Sequence, residues 1–190
     1  GSFYTDTWDN NFTAPVTIFD DLNVTGNVTA ENVFLPQYIF SHTNQTIPVK
    51  DANVWTNITF DQENAEIMQG ISHTHNSVNN QTFTVMEGGI YNVDYDLDLE
   101  DTSVGASDIN VAGRLILIDG TEVEGSVFET DIVKQGVEAE LSHNFLVECT
   151  TGEQLIFQFV ASDADVEIST HGTYGEHTDS ATILITKISN

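Results

Sequence analysis

Tyr91 to Glu100 reads Tyr-Asn-Val-Asp-Tyr-Asp-Leu-Asp-Leu-Glu, and its two-residue period constrains the chain more than any other segment. Strand side chains alternate between faces. Tyr91, Val93, Tyr95, Leu97 and Leu99 therefore share one face, and Asn92, Asp94, Asp96, Asp98 and Glu100 share the other. One face is built for a core. The other is a ladder of carboxylates with no basic residue in it. Such a ladder needs water, cations or a partner to offset like-charge repulsion.

From Val54 onward the same kind of alternation recurs, near residues 54–60, 65–75, 81–86, 89–100, 108–118, 121–128, 137–149, 153–161, 164–170 and 180–188. Turn signals separate these runs at Glu87-Gly88-Gly89, Asp119-Gly120, Thr151-Gly152 and Gly172 to Gly175. Asp-Gly between alternating runs marks a hairpin. No segment sustains helical periodicity. About ten short strands at this spacing predict an all-β jelly-roll β-sandwich. Residues 1–50 read differently. They hold all three prolines and short apolar bursts separated by Asn and Thr, too scattered for a core. The expected organisation is an extended arm or neck over 1–50 and a head over 51–190.

Thirty acidic residues against four basic ones set the formal charge at −26. Nucleic acid is excluded as a partner, because its binding needs Lys and Arg to displace phosphate counterions. An anionic membrane would repel the chain, and no apolar run reaches spanning length. The charge suits a saline or calcium-containing medium. Cys149 is the single cysteine and shares strand parity with Leu141, Phe145 and Val147, so it reads as a small core side chain. The chain opens Gly-Ser, without Met or a signal peptide, as a processed chain or a cloning remnant would. Asn11, Asn23, Asn27, Asn44, Asn57 and Asn80 stand in glycosylation sequons, although a chain rich in Asn and Thr produces such matches by chance.

Phe83-Thr-Val-Met-Glu-Gly-Gly-Ile-Tyr-Asn-Val-Asp-Tyr95 resembles the tumour-necrosis-factor-like jelly roll, the fold also of complement globular heads. An aromatic-led strand, a Gly turn and a Gly-hydrophobic-Tyr start to a central strand carry the likeness. Leu117-Ile118-Asp119-Gly120, Gly152-Glu153-Gln154-Leu155 and Ala181 to Ile185 resemble further motifs in order. The family's usual aromatic-x-Gly element before the last strand is replaced by Asp179-Ser180-Ala181, and no collagen-like stalk precedes the head. In the arm, Asp21-Leu22-Asn23-Val24-Thr25-Gly26-Asn27-Val28-Thr29-Ala30 resembles a step of phage tail-fibre shafts. The resemblance implies a homotrimer, with one face of the central strand turned toward the trimer axis.

Two candidate metal sites follow. Asp94, Asp96 and Asp98 from three subunits would converge on that axis, and oxygen-rich sites suit calcium; the alternative is a solvated acidic face. His73 and His75 project the same way from a strand and would offer six imidazoles in a trimer; the alternative is two polar histidines on an edge strand. His171 and His177 flank a Gly-rich loop without ligand spacing. Enzymatic patterns are absent from the sequence. Ser142 and His143 are strand neighbours that point to opposite faces, and no phosphate loop, CxxC or His-Glu-x-x-His occurs. The expected protein is a non-enzymatic, extracellular fibre head on a virion or cell surface that attaches to a glycan or protein receptor. The alternatives are a capsid decoration protein and a surface-filament subunit assembled by strand addition.

Overall fold

A computed structural model describes residues 36–74, 80–103, 108–133, 138–170 and 179–190. Among them lie thirteen strands and no helix: β1 (Tyr38–Thr43), β2 (Ile47–Pro48), β3 (Thr56–Asn57), β4 (Gln62–Gln69), β5 (Ile71–Ser72), β6 (Thr82–Val85), β7 (Gly89–Asp101), β8 (Ile109–Leu117), β9 (Phe128–Ile132), β10 (Glu138–Cys149), β11 (Gln154–Ala161), β12 (Val166–Ile168) and β13 (Ala181–Ser189).

The strands form two antiparallel sheets. The larger runs β4-β1-β13-β7-β10. β12 takes up the lane of β13 farther along β7, and β2 pairs with β12 as β1 does with β13. The β12 pairing ends at Ile168 opposite Leu99, and the β13 pairing ends at Ala181 opposite Leu97. The Asp98 backbone bridges the gap, donating its N–H to the Ser180 carbonyl at 2.9 Å and accepting from Ser169 N at 3.0 Å. The smaller sheet runs β5-β6-β11-β8-β9, with β3 beside β11. From β6 to β13 the chain crosses repeatedly between the sheets, which is jelly-roll winding.

β7 occupies the centre of the larger sheet, as its alternation requires. Tyr91, Val93, Tyr95, Leu97 and Leu99 are all buried, 0 to 1% exposed, while Asn92, Asp94, Asp96, Asp98 and Glu100 are half-exposed on the other face. The buried row packs against Leu115, Leu155, Phe157 and Phe159 of the smaller sheet in one continuous core. Tyr95 meets Phe157 edge-on at 4.8 Å. At Gly113 the backbone of β8 comes so close that a Cβ would stand 2.9 Å from both Tyr95 Oη and Leu141 Cδ2. The sheets approach each other along β9 and β10, where the Phe128 and His143 rings stack at 4.8 Å and 4°.

Two departures from the expected layout have local causes. The run at 121–128 is mostly turn, with β9 starting only at Phe128. Gly120 and Gly125 both take positive φ, and Ser126 Oγ, donating to Val123 O at 2.7 Å, holds the second turn shut. The other departure concerns residues 36–50, assigned to the arm from sequence. β1 lies between β13 and β4, and β2 edges β12, so the described head begins well before residue 51. Their pattern is obscure because the inward residues of β1 include Ser41 and Thr43, both fully buried. Ser41 Oγ meets the need for a partner by donating to Gln62 O at 2.9 Å. Residues 1–35 lie outside the described structure.

Truncation separates the two boundaries. Removing residues 1–35 keeps every described strand and should leave a cooperative β-type melt by circular dichroism. Removing residues 1–50 deletes β1 from the middle of a sheet and should abolish that transition, since it uncovers the edges of both β13 and β4.

Candidate functional site

Strand parity divides the head's surface into two outer faces of different chemistry. On the larger sheet, β7 presents the acidic ladder. Asp94 lies opposite Asn144 of β10 and Leu184 of β13; Asp96 lies opposite Ser142 and Thr182. The carboxylates have hydroxyl partners: Thr182 Oγ1 donates to Asp96 Oδ2 at 3.4 Å, and Ser169 Oγ donates to Glu100 Oε2 at 3.2 Å. No Lys or Arg of β7, β10 or β13 points outward. Lys187 of β13 is instead buried on the core side, with its Nζ 3.3 Å from Glu87 Oε2.

Partial burial raises the Asp94 carboxyl above its ordinary value, the Asp96 charge adds to the rise, and His143 offsets part of it. Asp94, Asp96 and Asp98 share a face as the alternation demands. Successive members sit about 7 Å apart along the strand, so one ion cannot gather all three within one chain. Among the described residues no three His, Cys, Asp or Glu side chains come together in a group that could hold a metal ion.

Apolar side chains share this face, and the sequence reading missed them. Leu146 is 57%, Ile188 49% and Leu184 37% exposed. Phe40 of β1 lies opposite Leu184 and stacks on His42, and Leu146 lies opposite Asn92. Along the strands the face grades from Ile90, Leu146 and Ile188 at one end to Asp98, Glu100, Glu140 and Glu167 at the other. Leu146 and Leu184 lie inside continuous apolar runs, Phe145-Leu146-Val147 and Ile183-Leu184-Ile185, where composition hides parity. Neighbouring Thr182 and Thr186, which share Leu184's face, were the available signal.

His73 is buried, 6% exposed, with its ring stacked on Phe83 at 4.4 Å. Its Nε2 lies 3.0 Å from the Asn80 carbonyl, which can only accept, so that nitrogen carries a proton and is not available as a ligand in this arrangement. His75, His171 and His177 lie outside the described residues. Cys149 is buried at the end of β10, and burial pushes its thiol up to about 12, in keeping with a packing role. Among the sequons, Asn44 is exposed in the β1–β2 turn. Asn57 is half-buried, with its amide nitrogen donating to Gln81 Oε1 at 3.0 Å.

The smaller sheet's outer face carries amides and hydroxyls. Arg114 of β8 donates from Nη1 to Glu122 at 2.8 Å and from Nε to Gln158 Oε1 at 3.0 Å, with its guanidinium 3.9 Å from the centre of the Trp55 ring. Gln158 Nε2 donates onward to Asn57 Oδ1 at 2.7 Å. No helix among the described residues is long and apolar enough to cross a membrane. The chain matches no known protein-family model and no curated protein.

Replacing Asp94 by Asn tests the ladder's electrostatics. A carboxyl whose folded value is raised binds its proton more tightly folded than unfolded, so its ionisation removes stability as pH rises from about 3.8 through the folded value. Asp94→Asn should therefore raise the melting temperature at pH 7 in low salt. The gain should be worth less than about 1 kcal/mol, because the site is largely wet. It should fade below pH 4 and in high salt.

Proposed function

We propose that the protein is the homotrimeric, non-enzymatic head of a fibre on a virion or cell surface, working in attachment to a receptor. The observation that carries the reading is the apolar end of the larger sheet's outer face. Leu146, Leu184 and Ile188 stand exposed on the strands of a sheet whose opposite face already fills the core. Large apolar side chains grouped on one face mark an association surface more than a surface kept only for solubility. The jelly-roll winding and the resemblance of Phe83 to Tyr95 to tumour-necrosis-factor-like heads favour the same face. Three copies packed there would cover the apolar end and bring acidic ends near one another.

Calcium fits this arrangement as a ligand of the assembled protein. Asp94, Asp96 and Asp98 are too widely spaced for one chain to chelate an ion with all three. Carboxylates from several chains would supply the six to eight oxygens that calcium takes. A filament built by strand addition is favoured by one feature: β4 ends the larger sheet and pairs only with β1 among the described residues.

Light scattering on a sizing column at micromolar concentration should give three times the chain mass. Leu184→Asp should shift the protein toward monomer with its dichroism intact. A monodisperse wild-type monomer would overturn the trimer, and an open polymer would transfer support to the filament.

Calcium should raise the melting temperature more than sodium chloride at equal ionic strength, by mass action on the folded assembly. The triple change Asp94→Asn, Asp96→Asn and Asp98→Asn should remove the calcium-specific part. Equal effects of the two salts in the wild-type protein would reduce the ladder to a screened surface.

A further inference from the structure

The smaller sheet's outer face has a chemistry that the chain's composition does not lead one to expect. In a protein of formal charge −26, its centre is built from neutral groups: Asn57 of β3, Thr82 and Thr84 of β6, and Gln154 and Gln158 of β11, with Ile156 and Ile116 between the two glutamines. One hydrogen-bonded row crosses it from Glu122 through Arg114, Gln158 and Asn57 to Gln81. Gln154 Nε2 reaches Thr84 Oγ1 at 3.4 Å in a second row, beyond Ile156 and Thr82. Beside it opens a cleft of about 240 Å³, with Ser72, His73, Thr82, Thr84, Gln154 and Ile118 in its lining. Ile118 is 56% exposed.

We propose that this face binds a neutral oligosaccharide. The inference rests on the attachment reading and names the chemical class of its receptor. A sugar ring offers hydroxyls that both donate and accept, together with apolar C–H faces. Hydroxyl and amide side chains match the first, and the exposed Ile118 in the cleft lining matches the second. Each primary amide has two N–H donors and two acceptor positions. The row uses one donor and one acceptor of Asn57 and likewise of Gln158, which leaves capacity for a ligand. The same bonds hold the amides in place before anything binds, which lowers the ordering cost of recognition. Charge selects among sugars. Glu122 offsets the Arg114 guanidinium at 2.8 Å, and the rest of the chain repels anions, so sialylated and uronic-acid glycans are disfavoured.

The full chain should be applied to an immobilised panel of neutral hexose and N-acetylhexosamine oligosaccharides alongside sialylated and uronic-acid ones. The best neutral binder should then be titrated calorimetrically. Binding should fall on neutral oligosaccharides. Thr84→Ala, Gln154→Ala and Gln158→Ala should each weaken it about tenfold, the scale of one lost neutral hydrogen bond, with unchanged thermal melting. Thr84 and Gln154 lie outside the Arg114 row, so the test stands if Gln158→Ala disturbs the sheet. Binding to no neutral oligosaccharide, preference for the anionic ones, or affinity untouched by all three changes would overturn the proposal. Adhesion of the labelled chain to cells separates this site from the attachment reading. Adhesion that survives both periodate oxidation of surface glycans and the three substitutions keeps attachment and removes the glycan, leaving a protein receptor. Oligosaccharide binding lost in the variants, by a chain that adheres to no cell, keeps the site and removes attachment.

Discussion

The two sheets are fitted together at Tyr95. Its ring crosses the core from β7 to the place where β8 has no side chain, and a single methyl at Gly113 would stand 2.9 Å from the phenol oxygen. Burial pushes the Tyr95 hydroxyl far above its ordinary value, so it stays protonated and can donate toward Ser126 O at 3.4 Å. Ser126 is itself fully buried, accepting from Leu115 N at 3.1 Å and closing the turn that leads into β9. One aromatic side chain thereby links the central strand of one sheet, the close approach of the other, and the seam where β9 meets β10. Enlarging a packed core at such a contact costs about 1–3 kcal/mol, because backbone and rotamers must shift.

A second constraint acts at the end of the core near Gly89. Lys187 brings one of four basic residues into a buried position, a placement that needs a paired charge. Glu87 supplies it from the turn before β7. Gly89, at φ 150°, leaves room for the Lys187 stem and the Ser189 carbonyl. Tyr91 Oη lies 2.9 Å from Gln37 Oε1 and 2.7 Å from the Glu87 carbonyl beside it. The hydroxyl has one proton, which these two acceptors share. The Gly-Gly-Ile-Tyr segment that resembles a family motif thus has a local physical role. It allows a polar cluster to close the core where β13 and β7 run together.

Legibility from the sequence followed the strength of alternation. β7 was readable to within one residue, because five apolar and five polar side chains separate cleanly by face. β8, β11 and β13 were readable as strands, but their outward residues were not, since Leu115-Ile116-Leu117 and Leu155-Ile156-Phe157 are apolar on both parities. β1 escaped notice because its inward face holds Ser41 and Thr43 and its burial depends on partners about 140 residues later in the chain. The acidic ladder was legible as a face, and its spacing along one strand limits what one chain can do with it. The Arg114–Gln158–Asn57 row was invisible. Its members come from three strands whose neighbours are set by topology, and no local pattern announces that they touch.

The distribution of charge makes sense of the two outer faces together. With 30 acidic residues to place, the fold concentrates carboxylates along β7, β10 and β12 on the larger sheet and leaves the centre of the smaller sheet's outer face to amides and hydroxyls flanking the buried Ile116 and Ile156. Like charges on one face make association through it sensitive to salt and to divalent ions, while neutral polar groups are nearly indifferent to both. A head that assembles through one sheet and recognises through the other would therefore have two separately tunable surfaces. Ionic conditions would govern assembly, whereas recognition would depend on the fixed geometry of hydrogen bonds across β3, β11 and β8. Because the sheets share one packed core, each surface is held rigid by the strands that present the other.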